Sequence, residues 1–164
     1  MDYISSDTNI WIDFYSINKL EIPFRMRATY IMFSEAMRDE IVEPPEMLKA
    51  LTDLGLEGVS LSTKEFYYAM ELLARYRNIS RYDAIALSIA KIRGILLLSG
   101  DKALRTAAEK EKVKVMGSLG LIDQLLEEKL IIKREYREIL LAWEKQVKLG
   151  RRLPLDEIKK RLEK

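Results

Sequence analysis

The chain has 164 residues, of which 48% are hydrophobic and 33% are charged, and its net charge is +2. This composition suits one globular domain with a real core and excludes a disordered chain. Histidine and cysteine are both absent, which excludes disulfides, thiolate metal sites and histidine-dependent catalysis. Hydrolytic chemistry would then need carboxylates, lysines, hydroxyls or a bound ion, and oxygen ligands favour Mg²⁺ or Mn²⁺.

The two ends of the chain bear on where the protein works and what it binds. Met1-Asp2-Tyr3 leads directly into strand-like sequence, and the longest apolar run, Gly94 to Leu98, is too short to span a bilayer. We therefore expect a cytoplasmic protein that makes no membrane contact. Residues 133–164 carry eleven Lys/Arg and six Asp/Glu, so the tail is basic while the rest is slightly acidic. A basic tail is compatible with binding a polyanion, although a solvated helix surface is the simpler explanation.

Strand and helix patterns alternate along the chain. Strands are predicted over residues 3–7, 30–33, 58–61, 95–98 and 113–116. Helices are predicted after residue 9 and over residues 34–42, 46–54, 63–76, 80–93, 102–112, 118–130 and 133–149, with a short one after Pro154. In the helix over residues 63–76, the predicted apolar face comprises Phe66, Ala69, Met70, Leu73 and Tyr76.

This alternation predicts an α/β fold: a three-layer α/β/α doubly wound parallel sheet with a C-terminal helical extension. We place the domain at residues 1–132 and the helical tail at residues 133–164. One face of the tail is apolar and could pack on its own domain or on a partner; it carries Ile139, Leu140, Trp143 and Val147.

Acidic residues stand where such a sheet binds ligands, outside the carboxyl ends of its strands. Asp7 and Asp101 each follow a predicted strand directly, and Asp83 lies near the start of the helix that feeds the second of those strands. Taken singly, each carboxylate could be a helix cap, and Glu40 could be a solvated helix charge. Carboxylates that converge without histidine would repel one another, and a divalent cation would offset that repulsion.

The order of these motifs resembles the PIN domain family. The matching segments are Asp7-Thr8-Asn9, Ser34 to Glu40-Ile41, Asp83-Ala84-Ile85-Ala86-Leu87 and Leu98-Ser99-Gly100-Asp101-Lys102-Ala103-Leu104. Residues 80–131 are especially similar to the archaeal and bacterial PIN proteins of the toxin type, and Gly150-Arg151-Arg152-Leu153 is similar to the same subgroup.

The resemblance implies a metal-dependent ribonuclease in which four acids hold one or two Mg²⁺ or Mn²⁺ ions. Those acids would be Asp7, Glu40, Asp83 and Asp101, each both catalytic and metal-binding. Glu40 is chosen over the neighbouring acids Glu35, Asp39 and Glu43 because it falls six residues after Ser34 and directly before Ile41.

Supporting roles follow from the same resemblance. Ser99 would support Asp101, and Asn9 would orient Asp7.

Arg81 and Lys102 are candidates for contacts with RNA phosphates, and Tyr76 and Tyr82 could stack on unpaired bases. Leu104 stands where many relatives have an aromatic residue, a difference that could alter what stacks near the site.

A toxin-type protein would act on RNA, pair with a small antitoxin that covers the acidic site, and form a homodimer. Two alternatives stay open. One is a PIN fold that binds nucleic acid or regulates without catalysis. The other is a haloacid-dehalogenase-like phosphatase, but that family needs an acid and a Thr or Val where Asn9 and Trp11 stand.

Overall fold

The computed structural model describes residues 2–164 and contains one five-stranded sheet. The strands are β1 (Tyr3–Ser6), β2 (Thr29–Phe33), β3 (Glu57–Val59), β4 (Leu96–Leu98) and β5 (Val115–Met116). All neighbours pair in parallel, in the order β3-β2-β1-β4-β5. Strand order therefore reverses between β1 and β4, where Ser6 pairs with Leu98. In doubly wound sheets ligands bind at this reversal.

Nine α-helices connect or follow these strands within residues 2–164. They are α1 (Thr8–Tyr15), α2 (Ser34–Glu40), α3 (Glu46–Leu54), α4 (Thr63–Arg75), α5 (Arg81–Arg93), α6 (Lys102–Lys110), α7 (Ser118–Glu127), α8 (Lys133–Lys148) and α9 (Leu155–Leu162). A 3₁₀ turn spans Ile22–Arg25. The prediction of a doubly wound parallel α/β sheet is confirmed. No helix in this part of the chain has the length and apolar character needed to cross a bilayer.

The two faces of the sheet carry separate cores because successive strand residues point to opposite sides. Tyr30 and Met32 lie in a core with buried residues of α1, α7 and α8. Ile31 and Leu97 lie in the other core, with buried residues of α4, α5 and α6. Both faces are thus covered, which suits the near-continuous apolar character of β2 and β4.

The helical tail packs against its own domain. Ile139, Leu140 and Trp143 are buried in the first core. The ring of Trp143 meets that of Phe14 edge-on at 5.2 Å, and its indole N–H donates to the backbone oxygen of Asp13 at 2.9 Å. The apolar face of α8 is therefore largely used within the molecule. The domain boundary at residue 132 stays a prediction.

Several element ends differ from the predictions. β3 is Glu57–Val59, earlier and shorter than the predicted 58–61. Helix α6 ends at Lys110 instead of residue 112, and α7 ends at Glu127 instead of residue 130. Beyond each end a lysine, Lys112 or Lys129, adopts a left-handed backbone with φ near 60°, which stops the helix.

The predicted apolar face of α4 is partly wrong. Phe66 is 50% exposed and Met70 is 47% exposed, whereas Ala69 and Leu72 are buried. Glu65 is also buried, because its carboxylate forms an ion pair with Arg93 at 2.6 Å on the next helix. The face of α4 that packs on α5 is thus rotated from the one that the aromatic residues suggest.

Candidate active site

The carboxyl ends of β1 and β4 bring Asp7 and Asp101 to the same edge of the sheet. The backbone N–H of Asp7 donates to the oxygen of Leu98 at 2.9 Å, which continues the β1–β4 ladder by one residue. Asp7 is buried, with 6% of its surface exposed, and precedes α1. Asp101 is the residue before α6. Strand pairing therefore places both acids as the sequence predicted.

Ser99 joins these two acids. Its buried hydroxyl donates to Oδ2 of Asp7 at 3.1 Å and accepts the backbone N–H of Asp101 at 3.1 Å. The sequence expectation linked Ser99 to Asp101 alone. In the structure the same hydroxyl also fixes the rotamer of the Asp7 carboxylate.

Asp101 and Asp83 both serve as helix caps. Oδ1 of Asp101 accepts the backbone N–H of Leu104 at 2.8 Å. Asp83 forms a capping box with Ser80: its Oδ2 accepts the Ser80 N–H at 2.9 Å, and the Ser80 hydroxyl accepts the Asp83 N–H at 3.1 Å. Both carboxylates thus have a local structural role, and each keeps one oxygen outside these bonds.

Glu40 is the last residue of α2 and turns toward α1. Its Oε1 accepts the hydroxyl hydrogen of Thr8 at 2.9 Å. Glu40 and Asp7 both line a small cavity of about 10 Å³, roughly the space of one water molecule, together with Tyr82. The structure therefore brings Glu40 to the same edge as Asp7.

Three of these acids, Asp7, Glu40 and Asp83, have raised pKa values, mainly because of burial and partly because of repulsion by neighbouring acids. Burial raises the pKa of Asp7 to about 7, with the charges of Asp83, Glu40 and Asp101 adding to the rise and the Ser99 hydrogen bond opposing it. Burial, followed by the charge of Asp101, raises the pKa of Asp83. Burial is likewise the main cause of the raised pKa of Glu40, with Asp83 contributing. The four acids are close enough to sense one another.

No basic side chain neutralises this cluster. Within residues 2–164, none of the four carboxylates takes part in an ion pair. The donors are all oxygens, the type that Mg²⁺ and Mn²⁺ prefer, so the donor set fits such an ion. In the rotamers observed over the same residues, no three acids are arranged so that they could hold an ion directly.

The other predicted site residues are distributed around this edge. Asn9 is exposed and makes no hydrogen bond to Asp7 within the described chain, so the structure does not reproduce that predicted contact. Lys102 is exposed directly after Asp101. Arg81 is 64% exposed, lies 3.8 Å from Glu35, and has its guanidinium carbon 5.1 Å from the centre of the Tyr82 ring.

The two tyrosines proposed to stack on bases have different surroundings. Tyr82 donates its hydroxyl to Asp39 and borders the small cavity with Asp7. Tyr76 instead donates to Glu111 at 2.5 Å and packs against the second core. Tyr82 is thus near the acids, whereas the hydroxyl of Tyr76 is committed to a structural contact.

Two residues of this region were missed from the sequence. Thr8 orients Glu40, and its position beside Asp7 in the first motif was the available signal. Asp13 is buried two residues before the end of α1, where its carboxylate accepts a hydrogen bond from Ser118 at 2.7 Å and pairs with Arg151. An acid within the apolar stretch of α1 was the only sign of this role, since its partners lie more than 100 residues away.

Comparison with known proteins identifies one family. A family model described as a PIN domain matches residues 3–164, which is nearly the whole chain and includes the helical tail. Neither the curated proteins nor the solved structures contain a match.

Proposed function

The chain belongs to the PIN domain family, and on this premise we propose that it is a metal-dependent ribonuclease that hydrolyses RNA phosphodiesters. Membership in this family leaves the haloacid-dehalogenase alternative without support. The catalytic and metal-binding residues in this proposal are Asp7, Glu40, Asp83 and Asp101.

One observation carries the proposal: Asp7 is a buried carboxylate near three further acids, and it forms an ion pair with no cation among residues 2–164. Its pKa of about 7 reports the free-energy cost of keeping that charge in place. Such clusters are typical of sites that bind an ion and move protons. A structural cap would not need an acid buried to this degree beside three others.

We assign the four acids roles according to the family resemblance. Asp7 and Asp101 would hold the principal ion, and Asp83 and Glu40 would hold a second ion or bind through water. A bound Mg²⁺ or Mn²⁺ would activate water and neutralise phosphate charge. Ser99 and Thr8 keep the carboxylates of Asp7 and Glu40 oriented through their hydrogen bonds.

Hydrolysis by water fixes the products. The oxygen of water would form a bond to phosphorus while the bond from phosphorus to the 3′ oxygen breaks, and a proton passes to that leaving oxygen. The products would be a 5′-phosphate and a 3′-hydroxyl. Lys102 and Arg81, both exposed near the acids, are the side chains proposed to contact the phosphates.

The test is cleavage of a labelled single-stranded RNA in Mn²⁺ or Mg²⁺, with Asp7→Asn, Asp101→Asn and the exposed control Asp156→Asn. We expect metal-dependent cleavage by the wild type and by Asp156→Asn, and none by the other two variants. Normal cleavage by Asp7→Asn would refute the site, and a wild type that binds Mn²⁺ but never cuts would refute the activity.

A second candidate function, nucleic-acid binding without cleavage, has one observation in its favour. Asp83 and Asp101 already use an oxygen each to cap helices, and no three acids among residues 2–164 converge on a point that could hold an ion. On this hypothesis RNA binding would not change when Mn²⁺ is added, and Asp7→Asn would bind as the wild type does.

A toxin role is the finer proposal. The similarity of residues 80–131 to toxin-type PIN proteins supports it, and with it a small antitoxin partner and a homodimer. We expect expression of the chain alone to arrest bacterial growth and Asp7→Asn to relieve the arrest. Sedimentation of the purified chain tests the homodimer. Equal growth with both chains would refute the toxin role while leaving the nuclease proposal intact.

A further inference from the structure

A groove runs between the body of the domain and the segment that joins α8 to α9. Two cavities, of about 1000 Å³ and about 640 Å³, form it and share the walls Gly100, Lys102 and residues 152–154. The larger cavity is also lined by Asn9 and Asp101. We call the two cavities together the tail groove; it begins at the acidic site and leads away along α6.

The tail groove presents cations that have no acidic partner. Lys102, Arg105 and Arg152 line it, and none of them forms an ion pair within the described residues 2–164. Arg105 extends into the groove: a side-chain carbon placed on Gly117 would lie 3.3 Å from its Nη1.

Apart from Asp101 at its start, most acids of the groove are paired elsewhere. Asp13, which lines both cavities, pairs with Arg151, and Glu157 pairs with Lys160 at 3.1 Å and with Arg161 at 3.4 Å. Glu109 also lines the smaller cavity and stands one helical turn beyond Arg105. The part of the groove nearest Asp101 therefore has a net positive wall.

The tail wall of the groove is held firmly in place. Gly150 turns the chain after α8 with φ of 99°, a conformation that favours glycine. The N–H of Arg151 then donates to the oxygen of Gln146 at 3.0 Å, and its guanidinium pairs with the buried carboxylate of Asp13. This anchored residue is followed directly by Arg152, whose side chain is left exposed beside the groove.

We propose that the tail groove binds the phosphates of a single RNA strand, through Lys102, Arg105 and Arg152, and leads that strand to the acids. The choice of RNA rests on the proposed nuclease function; the groove itself shows only unpaired cations suited to a polyanion. Unpaired cations along one channel track a phosphate backbone without reading its bases. The basic tail residue Arg152 thereby becomes part of the substrate-binding surface.

The experiment measures binding of a fluorescent single-stranded RNA of about 12 nucleotides in EDTA, where metal-dependent cleavage is absent. The variants are Arg105→Ala, Arg152→Ala and Arg152→Lys. The matched control is Arg134→Ala on α8, whose side chain is 81% exposed and lies outside the groove. Cleavage with Mn²⁺ is measured on the same proteins.

We expect each alanine variant of the groove to weaken binding about fivefold near 0.1 M salt, with a salt slope lower by about 0.7, as for one lost phosphate contact. Arg152→Lys should recover most of the affinity, and Arg134→Ala should bind as the wild type does. Groove variants that bind and cleave normally would overturn the inference and leave the nuclease intact. Absence of any RNA binding by the wild type would also overturn it.

Failure of the nuclease proposal gives a different result. A wild type that binds RNA through Arg105 and Arg152 but does not cleave it in Mn²⁺ would support the groove and refute catalysis.

Discussion

The buried hydroxyl of Ser99 donates a hydrogen bond to the carboxylate of Asp7, at 3.1 Å. Because Ser99 directly follows β4 and Asp7 directly follows β1, this contact links the ends of the two neighbouring strands at the candidate site. Ser99→Ala should raise the pKa of Asp7 further, since the hydrogen bond lowers it. We expect cleavage to fall about 10- to 100-fold, as for loss of a group that orients a metal ligand. The acid limb of the pH–rate profile should move to higher pH; an unchanged profile would contradict this role.

Asp7→Asn should stabilise the protein when no metal is present. Burial raises the pKa of Asp7 from 3.8 to about 7, so ionising this carboxyl costs more free energy in the folded protein than in the unfolded chain. The cost is absent below about pH 4, grows as pH rises, and is complete above about pH 7, where it amounts to at most about 4 kcal/mol. Urea unfolding in EDTA should show a larger gain for Asp7→Asn at about pH 8 than at about pH 4. Mn²⁺ should stabilise the wild type and not the variant.

Trp143→Ala should destabilise the whole domain, because its ring is fully buried against Phe14. We expect a loss of about 3–5 kcal/mol in the free energy of unfolding. Trp143→Phe keeps an aromatic ring but loses the N–H hydrogen bond to Asp13. The loss of that bond should lower the free energy of unfolding by about 1–2 kcal/mol beyond the effect of the changed packing. Leu149→Ala is the control, since Leu149 is 80% exposed. Denaturant unfolding of the three variants distinguishes these contributions. A small change in the free energy of unfolding for Trp143→Ala would mean that the tail docks only weakly.

Glu111→Gln should weaken the contact between α4 and the end of α6. The Glu111 carboxylate accepts hydrogen bonds from Tyr68 and Tyr76 and pairs with Arg75, and these partners outweigh burial to hold its pKa near 2. Because this pKa is lowered, the stabilisation is present above about pH 4.5 and is lost as pH falls toward 2. We expect a loss of about 1–3 kcal/mol near neutral pH.

The control for Glu111→Gln is Glu127→Gln at an exposed position without a partner. Thermal melts near neutral pH should lower the melting temperature of the first variant only. An equal melting temperature for Glu111→Gln and the wild type would show that the cluster contributes nothing to stability.

Local patterns were sufficient for the sheet and for two of its acids. Strand-like segments before Asp7 and Asp101 predict strands, and parallel strands bring their carboxyl ends to one edge. In the structure Ser6 pairs with Leu98, and Ser99 bonds to both Asp7 and Asp101. The place of Asp83 depended on a loop whose path the sequence did not reveal.

Long-range pairing is what the sequence could not supply. Glu65 and Asp13 are charged residues that become buried because Arg93 and Arg151 reach them from 28 and 138 residues away. Without those partners, the apolar face of α4 was assigned to Phe66 and Met70, which are in fact exposed. The assignment of catalytic roles to the four acids stays a prediction until cleavage is measured.

The central place of β1 determines when, during synthesis of the chain, the candidate site can form. β1 is made first, yet one of its two neighbours, β4, begins at Leu96, and Asp13 at the end of α1 meets Trp143 and Arg151 later still. Contacts of such long sequence separation form late in folding, and a chain still being synthesised lacks them altogether. The four acids thus cannot assemble until residue 101 has left the ribosome. If the proposed ribonuclease activity holds, the nascent chain stays inert toward the ribosome's RNA until that point.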